Sequence, residues 1–212
     1  MTIDYERFKR VITRCIEIAN EPDANPIVVG VFKEKLDAQA AAYLATDLAV
    51  STAMTAFAKE NREALDALAS LDGPYRVARA AVAAVLPGTE LPDTLKSQPT
   101  DTDQLNAITR LLDVIDDHSD KAWADALLKG EFGTKAPKTI QEISESIAAN
   151  KGLSKAKSER AAAYGPTYEM YLGFKQVVRN AYGPGSKQYR RIHLRASPGA
   201  SNEESSGGGG TP

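Results

Sequence analysis

The densest set of side chains able to do chemistry lies late in the chain, at Lys187, Gln188, Tyr189, Arg190, Arg191, Ile192, His193, Leu194 and Arg195. Lys187, Arg190, Arg191 and Arg195 are basic side chains, His193 adds an imidazole and Tyr189 a flat ring. Such a set can hold phosphates, with an affinity that falls as salt rises. The segment follows a glycine-rich turn, Gly183-Pro184-Gly185, and the alternation of Ile192, His193, Leu194 and Arg195 predicts extended backbone in place of another helix. An extended segment can dock on a protein partner through main-chain hydrogen bonds and arginine contacts. Equally, Ile192 and Leu194 can pin it along the molecule and leave the arginines on a surface edge. The acidic flank Glu203-Glu204 and the net charge of −2 weigh against a nucleic-acid partner and leave it as the second reading.

A second cluster, Asp113, Asp116, Asp117, His118 and Asp120, has metal-ligand chemistry. A helical di-iron site needs Glu-x-x-His pairs, yet Ile115 stands three residues before His118 and Arg190 three before His193. A calcium loop fails as well, for want of its glycine and its closing glutamate. The expectation is a solvated helix end with Asp120 capping the next helix, and no metal or cofactor. Cys15 lies at helical spacing with Phe8, Val11, Ile12 and Ala19, which reads as a buried small hydrophobe and not a nucleophile. Tyr164, Tyr168 and Tyr171 form a stripe that could stack on a ligand but reads more simply as core. The chain has no nucleophile elbow, no dinucleotide fingerprint and no paired cysteines for zinc. Gly183-x-Gly185-Ser-Lys lacks the first glycine of a phosphate loop and follows a helical pattern where a strand is needed. Catalysis is therefore not expected.

These groups must be positioned by helices. The stretch Ile27 to Leu71 contains no proline, one early glycine and an alanine-rich middle, and predicts one helix of about 67 Å, or two joined near Ser51 and Thr52. Before it, Asp4 can cap a helix from Tyr5 to about Asn20, and the proline-containing loop 21–26 hands over with Asn25 as a cap. Gly73-Pro74 predicts a stop, followed by a short helix from Tyr75 to Leu86. Pro87 to Asp101 reads as a loop and a candidate hinge, with Leu86, Leu91 and Leu95 holding it along the surface.

Thr102 or Asp103 can cap a helix from Gln104 to about Asp116, and Asp120 to Lys129 continues as helix until Gly130-Glu131-Phe132-Gly133. A helix from Pro137 should stop at Asn150-Lys151-Gly152, a charged one should run from Lys155 to Tyr164, and Gly165-Pro166 should separate it from a last helix, Thr167 to Tyr182. The tail Ala196 to Pro212 has almost nothing to bury and predicts disorder.

Short matches hint at an internal repeat. Ile12-Thr13-Arg14 recurs as Ile108-Thr109-Arg110, Gly73-Pro74 as Gly165-Pro166 and Pro87-Gly88 as Pro184-Gly185, at offsets of 96, 92 and 97. The reading is an all-α helical bundle, with a sub-bundle over 1–86, a connecting loop over 87–102, a second sub-bundle plus basic segment over 103–195, and a tail over 196–212. Its core should consist of close helices with small alanine side chains between them. No apolar run approaches the eighteen residues of a membrane helix, which suggests a cytoplasmic protein. The expected role is a non-catalytic structural or protein-interaction module that associates with a partner or with itself. The alternative is a nucleic-acid-associated protein using Lys187, Tyr189, Arg190, Arg191, His193 and Arg195, and a helical enzyme or small-molecule sensor stands third.

Overall fold

The structure is a computed structural model that describes residues 4–194, so Arg195 and the tail 196–212 lie outside the described residues. The fold is all-α, with no strand among the described residues. No helix there is long and apolar enough to cross a membrane.

Helix α1, Tyr5–Ala19, starts where the Asp4 carboxylate accepts the Arg7 N–H at 2.9 Å, and it buries Phe8, Val11, Ile12, Cys15, Ile18 and Ala19. Helix α2, Pro26–Val31, has Asn25 as its cap and proline at its first position. One π-helical turn, Phe32–Leu36, leads into α3, Asp37–Val85. The chain thus stays helical past Ser51 and Thr52, past Leu71, and through Gly73-Pro74. A proline inside a helix costs about 3 kcal/mol. Burial of Leu71, Tyr75, Ala78 and Val82 on one face of the same turns outweighs that cost.

After a loop with one 3-10 turn, Leu95–Ser97, come α4, Asp101–Asp116, α5, Ala122–Lys129, α6, Glu131–Tyr182, and α7, Lys187–Ile192. Thr100, not Thr102 or Asp103, caps α4 by accepting the Asp103 N–H at 3.1 Å. Asp120 does not cap α5, whose cap position is Lys121; the Asp120 carboxylate accepts from Lys121 Nζ at 2.7 Å instead. The expected stops at Asn150-Lys151-Gly152 and Gly165-Pro166 are also overridden within α6, where Leu153, Ala156, Thr167 and Tyr171 are buried around them. The stops at the 21–26 loop and at Gly130 hold, and so do those where the backbone turns left-handed, at Gly88 (φ 101°) and Gly183 (φ 91°).

The chain divides into two compact units, and not at the expected 87–102 boundary between 1–86 and 103–195. Unit 1 comprises, of the described residues, 4–45 and 162–194; unit 2 is Thr46–Ala161. The loop that reads as a hinge belongs to unit 2. Leu91 and Leu95 are buried there, the Tyr75 hydroxyl donates to Pro92 O at 3.0 Å, and Arg79 donates to Leu91 O at 3.1 Å.

The core of unit 1 gathers α1, Val28, Phe32, Leu36, Ala40 and Tyr43 with Tyr171, Phe174, Val178 and Ile192. That of unit 2 gathers Leu68 to Val82 and Leu95 with Ile108, Leu111, Ile115, Phe132 and Ile143, and Val50, Leu153 and Ala156 form a smaller cluster. Alanines do enter the cores, among them Ala64, Ala78, Ala107, Ala124 and Ala136, but the alanine-rich run of 38–58 does not line them. Ala38, Ala41, Ala42, Ala45, Ala49, Ala56 and Ala58 are exposed, and of that run Ala40 alone is buried. These alanines serve as strong helix formers on solvated faces, while aromatic and branched side chains fill the interior.

Burial follows one register across the chain. Of the seventeen buried residues from Ala107 to Ile192, only Leu153, Ala156 and Ile192 lack a buried counterpart 96 positions earlier. The matches include Ile12 with Ile108, Cys15 with Leu111, Val28 with Ala124, Leu36 with Phe132, Ala40 with Ala136, Val50 with Ser146, Tyr75 with Tyr171 and Val82 with Val178. Helix starts keep the same offset: Tyr5 and Asp101 open α1 and α4, and Pro26 and Ala122 open α2 and α5. The π-helical turn at Phe32–Leu36 matches the place where Gly130 interrupts helix between α5 and α6. The Gly-Pro pairs, 92 apart, fall out of this register.

Candidate functional site: an arginine groove

The segment from Lys187 is not extended. The Ser186 hydroxyl accepts the Tyr189 N–H at 3.2 Å and starts α7, and the fully buried Ile192 anchors that helix to the unit 1 core. Only His193 and Leu194 leave helical geometry. A helical turn separates neighbouring side chains by about 100°, so the basic residues part company.

Arg191 turns toward acids. Its guanidinium donates to Glu21 Oε1 and to Glu17 Oε2, each at 2.5 Å, and Gln188 donates to Glu21 Oε2 at 3.2 Å. This fork ties α7 to the end of α1 and the residues just after it. Tyr189 sets its ring edge-on to His193 at 5.6 Å, with Lys175 Nζ 5.8 Å from the Tyr189 centroid. Lys187 is exposed and lies outside the groove described next.

Arg190 and His193 instead line a shallow groove of about 320 Å³ with Arg7, Arg10, Val11 and Arg14 of α1. Arg7, Arg10 and Arg14 stand at i, i+3 and i+7, a single helical stripe. Among the described residues no carboxylate lies in salt-bridge range of Arg7, Arg10, Arg14 or Arg190. Arg14 donates through Nη1 to Arg191 O at 3.0 Å, and Arg10 through Nε to Glu6 O at 3.4 Å; both contacts orient a guanidinium and leave further N–H groups unspent. Arg7, Arg10 and Arg14 lie outside the basic cluster of Lys187 to Arg195 that stands out in the sequence. The i, i+3, i+7 spacing was the available signal, and its pairing with Arg190 needed the fold.

The other candidates resolve into structure. Tyr164, Tyr168 and Tyr171 pack around Phe8, with ring centroids 4.7, 5.9 and 5.9 Å away. The Tyr171 hydroxyl donates to Ile192 O at 2.6 Å, and burial pushes its pKa up. Cys15 is fully buried, and burial likewise pushes its thiol up, away from the reactive thiolate. Asp113, Asp116, Asp117 and Asp120 are exposed and do not converge, while the His118 ring bonds Val114 O at 2.9 Å and leans on Trp123. The carboxylates that do converge among the described residues are Glu60, Glu63 and Glu142, with Lys59 paired to the first two. No family model, curated protein or solved structure matches the chain.

Proposed function

We propose that the protein is a non-catalytic helical interaction module that engages an anionic partner through the arginine groove of unit 1. The observation that carries this reading is the convergence of three guanidiniums from α1 with one guanidinium and an imidazole from the α7 end on one open surface, with no carboxylate among the described residues within salt-bridge range of the arginines. Structural arginines behave as Arg191 does, closing on Glu17 and Glu21. Self-association through alanine-lined faces has only exposure in its favour.

An internal duplication sharpens the reading. The 96-residue register of buried positions, the matched helix starts and the recurrence of Ile12-Thr13-Arg14 support a chain built from two copies of one unit. Unit 1 then combines the first part of one copy with the last part of the other. The duplication supplies an internal control, because the counterparts of Arg7, Arg10, Arg190 and His193 are Asp103, Asn106, Thr94 and Ser97. Helix α4 packs without arginine at two of these places, so the fold does not require it there.

The test is titration of the full chain at low salt with two polyanions, a single-stranded oligonucleotide and a poly-glutamate peptide. Binding of at least one, weakened tenfold or more in Arg7→Gln/Arg10→Gln/Arg190→Gln, is expected. Failure of both to bind would end this reading.

A further inference from the structure

We propose that the groove binds a run of phosphate groups, one ligand strand per chain, recognised through its backbone and without reading bases. This rests on the interaction-module reading and names the ligand class of the same site.

The donors are guanidiniums, whose planar forks match phosphate oxygens two at a time. Along α1, Arg7 to Arg14 covers seven residue steps, about 10.5 Å at 1.5 Å each. That is room for at least two successive phosphates of a strand, which rises roughly 3.4 Å per nucleotide when stacked in a duplex and more when extended. Arg190 and His193 add donors from the facing helix end. Glu17 and Glu21, at the C-terminal end of α1, turn toward Arg191, which offsets part of their charge.

What the groove lacks is as informative. A protein partner is held by buried apolar or aromatic anchors, whereas the one apolar lining residue here is Val11, itself buried. Base readout would call for a free ring, yet Tyr189 packs edge-on with His193 and Lys175 sits beside Tyr189. A charged stripe without anchors or platforms suits a repeating anion. The duplicated unit has no second such site. Around Arg110, the counterpart of Arg14, the cavity is lined also by Glu90 and Asp93, and Asp93 pairs with Arg79.

The experiment is fluorescence anisotropy of a labelled twelve-nucleotide single strand with the full chain, with tripolyphosphate and poly-glutamate as competitors. Three to four phosphate contacts predict a log–log salt slope of about −2 to −3, or roughly thirtyfold weaker binding between 50 and 200 mM salt. Arg7→Gln/Arg10→Gln should weaken binding at least tenfold and flatten the slope by about 1.4. Arg110→Gln should leave binding within twofold, and helical content and melting should be unchanged in all variants, since these side chains are at the surface. Equal affinity for different base sequences is expected. Displacement by tripolyphosphate at matched phosphate concentration assigns the groove to polyphosphate chains generally; resistance to it assigns the site to nucleic-acid strands. Competition by poly-glutamate as strong as by unlabelled strand would overturn the phosphate proposal while leaving the interaction module standing. An unchanged affinity in the double variant would overturn the groove itself.

Discussion

On α1 of unit 1 the polar stripe is Arg7, Arg10 and Arg14; on α4 of unit 2, in the same register, it is Asp103, Asn106 and Arg110. The apolar stripes behind them correspond position by position, Val11 and Ile12 with Ala107 and Ile108, Cys15 with Leu111, Ala19 with Ile115. Asp103 accepts the Thr100 hydroxyl at 2.6 Å and so closes the start of its helix, a local task that Arg7 does not perform. Packing constrains the inner face of each helix because a core tolerates little change in volume, while the outer face is free to take on charge. The contrast teaches where to look for function: at polar positions where two otherwise matched units disagree.

The comparison breaks most visibly if matched core residues are not energetically matched. Tyr75 and Tyr171 are each fully buried, and each donates its hydroxyl to a carbonyl of the segment returning over the core, Pro92 O at 3.0 Å and Ile192 O at 2.6 Å. Tyr75→Ala and Tyr171→Ala should each cost about 4 kcal/mol in urea unfolding, with the pair agreeing to within about 1 kcal/mol. A cost confined to one of them would mean that the shared register does not reflect shared packing.

A somewhat smaller effect sharpens the difference between the units. Asp47 and Arg160 form an ion pair at 3.0 Å inside unit 2, with Asp47 only 3% exposed. Their counterparts in register, Ile143 and Ala64, lie in unit 2 as well and carry no charge, so the pair is not repeated 96 positions away. Asp47→Ala should destabilise by about 3 kcal/mol, because it removes a carboxylate from a desolvated pair. Hydrogen exchange would then show the loss concentrated in amides of 46–161. Uniform loss across both units would indicate that they unfold as one.

How much of this was legible beforehand depends on which force decides each feature. The apolar face of α1 was legible, since Phe8, Val11, Ile12, Cys15 and Ala19 recur at helical spacing and are all buried. The stops at Gly88 and Gly183 were legible because they rest on backbone conformation alone. Pro74, Gly152 and Pro166 misled because local breaking tendency is weak beside burial of neighbours such as Leu71, Leu153 and Tyr171. Of the site, Arg190 and His193 could be named from composition, but Arg191 could not be separated from them until α7 set its side chain toward Glu17 and Glu21. Arg7 and its neighbours on α1 lie about 180 residues away in sequence, beyond any local pattern.

The smallest effect bears on a polar feature of unit 2. Asp72 is buried and accepts from the Thr94 hydroxyl at 2.7 Å and from the Leu95 N–H at 3.2 Å, with Arg76 Nε 3.8 Å from its other oxygen. The Thr94 hydrogen bond foremost, with the Leu95 amide and the Arg76 charge, outweighs desolvation and holds the carboxyl below the usual aspartate range. Because the folded value is depressed, the stabilisation is fully present above the unfolded pKa of about 3.9 and disappears as pH falls through the folded one. Its register counterpart is Tyr168, which carries no carboxyl group, so unit 1 has no matching carboxylate at this place. Asp72→Asn should cost about 1 kcal/mol at pH 7 and progressively less below pH 4, converging on the parent protein once Asp72 is protonated in both states. Urea unfolding at pH 7, 4 and 2.5 reads this directly. A cost that stayed constant down to pH 2.5 would show that Asp72 acts through the shape of its hydrogen bonds and not through its charge.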